Sequence, residues 1–263
     1  MGMIGCARGL PNDRLPQSTA SLPVPEVEAT VTVDPSGTRV NGELVGAGGA
    51  KTEVGRALAA IADAVRARAS TGAASRGFRG AVALEVAASL PSVRVGEAVE
   101  AAALGGFGQP WLVVVGAAGD RRAIRLALPE VALTEASREQ AEGEAVAGSW
   151  ANPRITFDPA VGVTVRVHDR VVDTGDGLVL ACASTPCGAA ATGGWPWVEL
   201  NRLARRVKLD HPRDRAVMIA PDAAIDVQTF VSALDATRDD AVVARGDREL
   251  FPVVQLVDDG SGR

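Results

Sequence analysis

Four groups of residues have types and spacings that chemistry could use. Gly46-Ala-Gly-Gly-Ala-Lys51-Thr52 joins a strand-like stretch to a helix-like one, the context of a phosphate-binding loop. That loop needs a glycine directly before its lysine and another at its start, so that backbone N–H groups can close on phosphate. Here Ala50 and Val45 hold those two places, the spacing fails, and a flexible turn at a helix N-terminus accounts for the segment. Cys182 and Cys187 frame Cys-Ala-Ser-Thr-Pro-Cys, close to Gly193-Gly-Trp-Pro-Trp197, with no neighbouring His or further Cys to complete a zinc site and without redox Cys-x-x-Cys spacing. In an oxidising compartment the pair closes a short loop as a disulfide, which is the expectation; in a reducing one it is two thiols. His168 and His211 are far apart in sequence, and no Ser or Cys motif beside either marks a nucleophile. Pro221-Asp222 and Asp226 form the fourth group. The plain reading there is a turn followed by an N-cap, since Asp226 stands immediately before the apolar-periodic Val227.

The elements that would position these groups follow from apolar periodicity. Ala216-Val-Met-Ile219 is a buried strand, Pro221-Asp222 a turn, and Val227, Phe230, Val231 and Leu234 recur at the three-and-four spacing of one helix face. A weaker copy lies 132 residues earlier, at Val95, Ala98, Val99 and Ala102, after its own strand Ala81–Val86. Val31 and Val33 likewise match Val165 and Val167 at a shift of 134, and near-constant offsets at two points argue for an internal repeat. The first repeat reads as a strand through Val33, a turn at Asp34-Pro-Ser-Gly37 and a second strand over Thr38–Val45. A helix over Thr52–Arg68 follows, with Val54, Leu58, Ile61 and Val65 inward, then strand, helix and the strand Trp111–Val115. An extra hairpin turns at Gly116–Asp120. The second repeat carries strands at Val161–Val167 and Arg170–Val172, a helix Val198–Leu209, the strand-turn-helix already described, and a last strand Phe251–Val257.

These elements predict an α+β chain of two tandem domains, each of β-β-α-β-α-β order with a mixed sheet and two helices on one face. The expected boundaries are an extended, proline-rich leader over 1–26, a first repeat over 27–128, a glutamate-rich linker over 129–154, a second repeat over 155–258 and a tail over 259–263. A length of 263 residues suits two such cores, and a net charge of -5 removes the global electrostatic reason to bind nucleic acid or anionic lipid. With no Tyr and 3% aromatics, stacking platforms would have to come from four Trp and five Phe. No apolar run approaches the ~20 residues that span a bilayer. Ile4-Gly5-Cys6-Ala7 has the form of the tail of a bacterial lipoprotein signal, or is an ordinary free cysteine in a terminus.

Met218-Ile-Ala-Pro-Asp222-Ala-Ala-Ile225-Asp226-Val227, then Val231-Ser-Ala-Leu-Asp235-Ala-Thr-Arg238, resembles the periplasmic domain of the ExbD/TolR family, where a strand ends at an Asp before a helix with this valine and Asp spacing. Leu15-Pro16-Gln-Ser18 is similar to the Leu-Pro opening of that domain. Pro221, Asp222, Ile225, Asp226, Val227 and Asp235 are the positions that match the motif; Ala88-Ser-Leu-Pro91 holds the corresponding turn of the first repeat, without the Asp. The resemblance implies partners of the ExbB/TolQ and TonB-like kind, peptidoglycan, or a second copy of the chain, in proton-motive-force-coupled transport or envelope maintenance. It implies a periplasmic place, with membrane contact only indirectly or through an unseen anchor; together with the net charge and the lack of a complete phosphate, metal or nucleophile motif, the expectation is no catalytic residues, no cofactor, no metal and no nucleic acid. The family's motor action uses an N-terminal transmembrane helix bearing an acidic residue, which this sequence does not show, so the expectation is the recognition module in duplicate. The reading from a different class is a soluble enzyme with a degenerate nucleotide-binding or Cys-based site.

Overall fold

Strand alternation places successive side chains on opposite faces of a sheet, and here the two faces are covered by different things. The computed structural model describes residues 9–20, 22–45, 51–69, 80–127, 153–167, 170–172, 179–184, 186–187, 194–212, 214–238 and 250–257. The candidate lipoprotein-type cysteine Cys6, the glycines of 46–50, the linker from 129 to 152, His168 and the tail lie outside these residues.

The first part of the chain contributes β1 (Ala29–Asp34), β2 (Gly37–Val40), β3 (Glu43–Leu44), α1 (Lys51–Ala69), β4 (Ala81–Val86), α2 (Val93–Leu104), β5 (Gln109–Val115) and β6 (Arg121–Ala127). The second part contributes β7 (Arg154–Asp158), β8 (Gly162–Val167), β9 (Arg170–Val171), β10 (Leu180–Ala181), α3 (Trp197–Asp210), β11 (Ala216–Ile219), α4 (Val227–Arg238) and β12 (Val253–Leu256). The protein is a mixed α+β fold. Its strands form one 12-stranded sheet in the order β10-β8-β7-β11-β12-β6-β5-β4-β1-β2-β3, with β9 beside β8. In the first part β1 pairs antiparallel with β2 and parallel with β4, and β4 pairs parallel with β5. In the second, β7 pairs antiparallel with β8 and parallel with β11, and β11 pairs parallel with β12.

Four expectations change. The two halves do not keep separate sheets: β6, expected only as the far strand of an extra hairpin, pairs antiparallel with β5 and parallel with β12, joining Leu126 and Ala127 to Val254 and Gln255. The segment Phe251–Val257, expected as the last strand of a separate second domain, is therefore interior to the joint sheet, with β11 on its other side. Val163–Val167 is not the counterpart of the first strand but its hairpin partner, β8; the strand that pairs as β1 does is Arg154-Ile-Thr-Phe-Asp158. The repeat offset at that end compared strands with different partners. Finally, Thr38–Val45 is two strands, because Asn41 and Gly42 both take positive φ, 50° and 86°, the geometry that a two-residue hairpin turn requires.

The helix-facing side of the sheet holds the main core. Val31, Val82, Leu84, Leu112, Ile124, Ile155, Val163, Val217, Ile219, Val254 and Leu256 share one cluster with Leu58 of α1, Val95 and Val99 of α2, Leu200 and Leu203 of α3, and Phe230 and Leu234 of α4. On the reverse face, Ala83, Ala87, Val113 and Val115 pack with Leu10 and Leu15 of the leader. Those two leucines are 3% and 2% exposed, and burying each stabilises the fold by about 2 kcal/mol. The leader is therefore part of the fold. Glu85, buried on this face, accepts from the Leu10 N–H at 2.5 Å and pairs with Arg121 at 2.5 Å, and Arg121 also donates to the Leu10 carbonyl. No helix among the described residues is long and apolar enough to cross a membrane.

Candidate functional site

The residues of the Pro221–Val227 motif meet the first half of the chain, at the loop between β4 and α2. The Ser92 N–H donates to the Ile225 carbonyl at 2.8 Å, and Val227 N–H returns a bond to the Leu90 carbonyl at 2.8 Å, with Pro91 and Asp226 as the antiparallel pair between them. The Ser92 hydroxyl, 0% exposed, donates to the Asp222 carbonyl and accepts from the Asp222 N–H, each at 2.8 Å. Ser92 precedes α2 directly, where a serine would be expected to cap. Its hydroxyl makes no cap bond there and is spent across the seam.

This seam completes the start of α4. The first N–H groups of a helix have no partners within it. Here Val227 N–H donates to Leu90 and Gln228 N–H to Ala88, both carbonyls of the first half, while Thr229 N–H donates to Asp226 Oδ1 at 2.7 Å and Phe230 N–H to the Asp226 carbonyl. Asp226 is thus the N-cap that its position indicated. Ile225 and Val227 are buried at 4% and 0%, so their apolar character serves the core. Asp222 Oδ1 accepts from Ala224 N–H at 2.6 Å, closing the turn after Pro221.

Asp235, further along α4, holds the leader. Its carboxylate accepts from the Ser18 hydroxyl at 2.7 Å and the Thr19 N–H at 2.8 Å. Two turns earlier, Gln228 reads one leader residue from both sides: its Oε1 accepts from Gln17 N–H at 2.7 Å and its Nε2 donates to the Gln17 carbonyl at 3.0 Å. Burial pushes the Asp235 carboxyl up from the usual carboxylate range, against the opposing pull of the Ser18 and Thr19 bonds and the nearby Arg238 charge. The leader continues as backbone pairing, with Ser18 N–H on the Val115 carbonyl, Val115 N–H on the Pro16 carbonyl and Ala123 N–H on the Leu22 carbonyl. Residues 16–20 and 22 thereby touch β5, β6 and α4, and bind both halves.

The matched motif residues therefore gather at one seam, apart from Asp235, which clasps the leader. Their carboxylates are committed to backbone N–H groups or the Ser18 hydroxyl, so chemically they are fixed acceptors. Ser92, Gln228 and the Glu85–Arg121 pair do not stand out in the sequence as site residues, and Ser18 does so only as the end of the Leu15–Ser18 likeness. Glu85 carried a signal, a charge inside the otherwise apolar Ala81–Val86, and Ser92 another, a capping residue directly before a helix.

Cys182 and Cys187 are joined as a disulfide, with Cα atoms 5.4 Å apart. The bridge lies beside β10 and an aromatic corner in which Trp195 meets Phe157 edge-on at 5.8 Å and stacks on Trp197 at 5.7 Å. His211 follows α3 as its C-cap, with its N–H on the Val207 carbonyl. Lys51 is the first residue of α1 and pairs with Glu100 of α2 at 2.5 Å, on a different element from the motif seam. Among the described residues no group of three or more His, Cys, Asp or Glu side chains is placed to hold a metal ion. No family model matches the chain, and no curated protein or solved structure matches it significantly.

Proposed function

We propose that this protein acts by association, as a paired ExbD/TolR-like recognition module of the cell envelope that binds partner proteins or peptidoglycan. The reading rests on the motif resemblance, and three observations support it. In each half a hairpin, β1–β2 or β7–β8, is followed by a helix, a parallel strand, a second helix and another parallel strand, with β3 in the first half and β9 and β10 in the second as additional short strands before the helix. A Cys182–Cys187 disulfide suits an oxidising compartment such as the periplasm. The observation that carries the mode of action is the outer edge of β3, which ends the sheet. Val45 N–H turns inward to the Thr38 carbonyl, so the neighbouring Leu44 directs its own N–H and carbonyl outward, and its side chain is 58% exposed. An extended segment of a partner can add there as a further strand.

Replacing Leu44 by proline removes the outward N–H and leaves the β2 pairing in place. Binding of the full chain to purified peptidoglycan sacculi, and to ExbB/TolQ-like or TonB-like envelope proteins, should be measurable for the natural protein, and Leu44→Pro should abolish binding to the protein partner. A natural protein that bound none of these, and hydrolysed a nucleotide in a Lys51-dependent manner, would replace this reading with the enzymatic one.

A further inference from the structure

We propose that the cleft at the carboxyl ends of β1 and β4 is a binding site for a short zwitterionic ligand, an amino acid or dipeptide. The inference is independent of the envelope reading. β1 and β4 are adjacent and parallel, and their chains part at Asp34 and Ala87. Beyond the carboxyl ends of these two strands, the segments Asp34–Ser36 and Ala87–Ser89 border an open crevice. Here the leader's short turn Asn12–Arg14 walls off one side, and the crevice has a volume of about 450 Å³, lined by Asp13, Arg14, Asp34, Pro35, Ala87 and Ser89 among others. That is within the range of small-ligand sites.

The lining is chemically divided. Ala87, Ala88 and Pro35 are small or apolar, and the backbone donors of the floor are already used, Ala87 N–H by the Val33 carbonyl and Ala88 N–H by the Arg14 carbonyl. Asp34 is also spent: its carboxylate accepts from Ser36 N–H at 2.7 Å and the Ser36 hydroxyl at 2.5 Å, and pairs with Arg39 at 3.1 Å. Although burial works against ionisation, the Ser36 bonds and the Arg39 charge together hold its carboxyl below the usual range. Its ion pair is with Arg39, and it forms none with Arg14. Asp13 and Arg14 form no ion pair with any described residue, and the Ser89 hydroxyl has no hydrogen bond among them. A lone acid, a lone guanidinium and a hydroxyl thus border an apolar floor. A ligand carrying an ammonium for Asp13, a carboxylate for Arg14 and Ser89, and a small side chain for Ala87 and Pro35 satisfies all of them at once.

Alanyl-alanine, N-acetyl-alanyl-alanine and alanyl-alaninamide titrated into the full chain, with amide chemical shifts and calorimetry as readouts, test this. Alanyl-alanine should give saturable shifts at Ala87–Ser89 with a millimolar dissociation constant, and each blocked form should bind about tenfold more weakly. Arg14→Gln and Asp13→Asn should each weaken alanyl-alanine about tenfold. Arg14→Gln should leave the amide's affinity unchanged, and Asp13→Asn that of the N-acetyl form, because the partner group is already missing. Both side chains are exposed, so the melting temperatures of the variants should match the natural protein and show that they are folded. Absence of saturable shifts at ~20 mM alanyl-alanine, equal binding of the three compounds, or a loss in only one of the two variants would overturn the proposal.

Discussion

Removing one hydroxyl at the seam, by Ser92→Ala, should destabilise the whole chain by about 2–4 kcal/mol. Ser92 is fully buried and makes two bonds of 2.8 Å to the backbone of Asp222, one as donor and one as acceptor. Each such bond contributes about 1 kcal/mol net, and a buried peptide group left without a partner costs about 1–3 kcal/mol more. The two bonds give about 2 kcal/mol, and because the Asp222 turn is only half-buried, water meets part of the stranded groups' need and holds the further cost to at most about 2 kcal/mol. The Leu90 and Ala88 carbonyls that hold the first N–H groups of α4 lie on the same loop, so any shift of that loop loosens the helix start as well. Urea unfolding followed by far-ultraviolet circular dichroism measures the loss, and a melting point about 5–15 °C lower should accompany it in a chain of this size. Ser89→Ala, three residues away, exposed and with no hydrogen bond among the described residues, should change stability by less than about 0.5 kcal/mol and serves as the control. If Ser92→Ala also stayed within 0.5 kcal/mol of the natural protein, the seam would not be an energetic joint.

Asp235→Asn should flatten the pH dependence of stability. The folded-state carboxyl of Asp235 is raised above its unfolded value, so its favourable contribution is fully present below the unfolded range near 4 and is lost as pH rises through the folded value. The asparagine variant does not titrate there, and its stability relative to the natural protein should rise from pH 3 to pH 7 in urea titrations; parallel curves would show that this group is not shifted. Cys182→Ser with Cys187→Ser should cost about 2 kcal/mol, the loop-closure value for so short a loop, and should alter tryptophan fluorescence because Ala183 N–H on the Gly194 carbonyl ties the loop to Trp195. Equal stability with and without reductant would place the bridge outside the cooperative fold.

Local periodicity carried most of the element order. The stripe Val54, Leu58 and Ile61, the apolar run Ala81–Val86 and the Leu200, Leu203 and Val207 face all lie where their spacing puts them, because each is decided by neighbours within two turns or one strand. Errors arose where the pattern did not decide. Ile155 and Phe157 alternate with polar residues as clearly as Val163 and Val165 do, and only the pairing partners separate the inner strand from its hairpin mate. Asn41-Gly42 was a readable hairpin turn inside what looked like one strand. The interior position of β12 had no local signature, since the strand that covers it comes from the other half of the chain.

The candidate site was legible in part for the same reason. Asp226 could be read as a cap because its partner, Thr229, is three residues away. Asp235 could not be read as a clasp, because Ser18 is 217 residues away and the leader's prolines indicate only an extended chain. The consequence for function lies in how those distant contacts combine. Glu85 and Arg121 fix the leader at Leu10, Val115 pairs with Pro16 and Ser18, and α4 holds Gln17, Ser18 and Thr19. The same α4 begins on carbonyls of the β4–α2 loop, whose Ala87–Ser89 segment floors the cleft beside Arg14. Leader, seam and cleft are therefore one connected set of contacts: the loop that floors the cleft also supplies the carbonyls on which α4 starts, and α4 in turn holds the leader that contacts both halves.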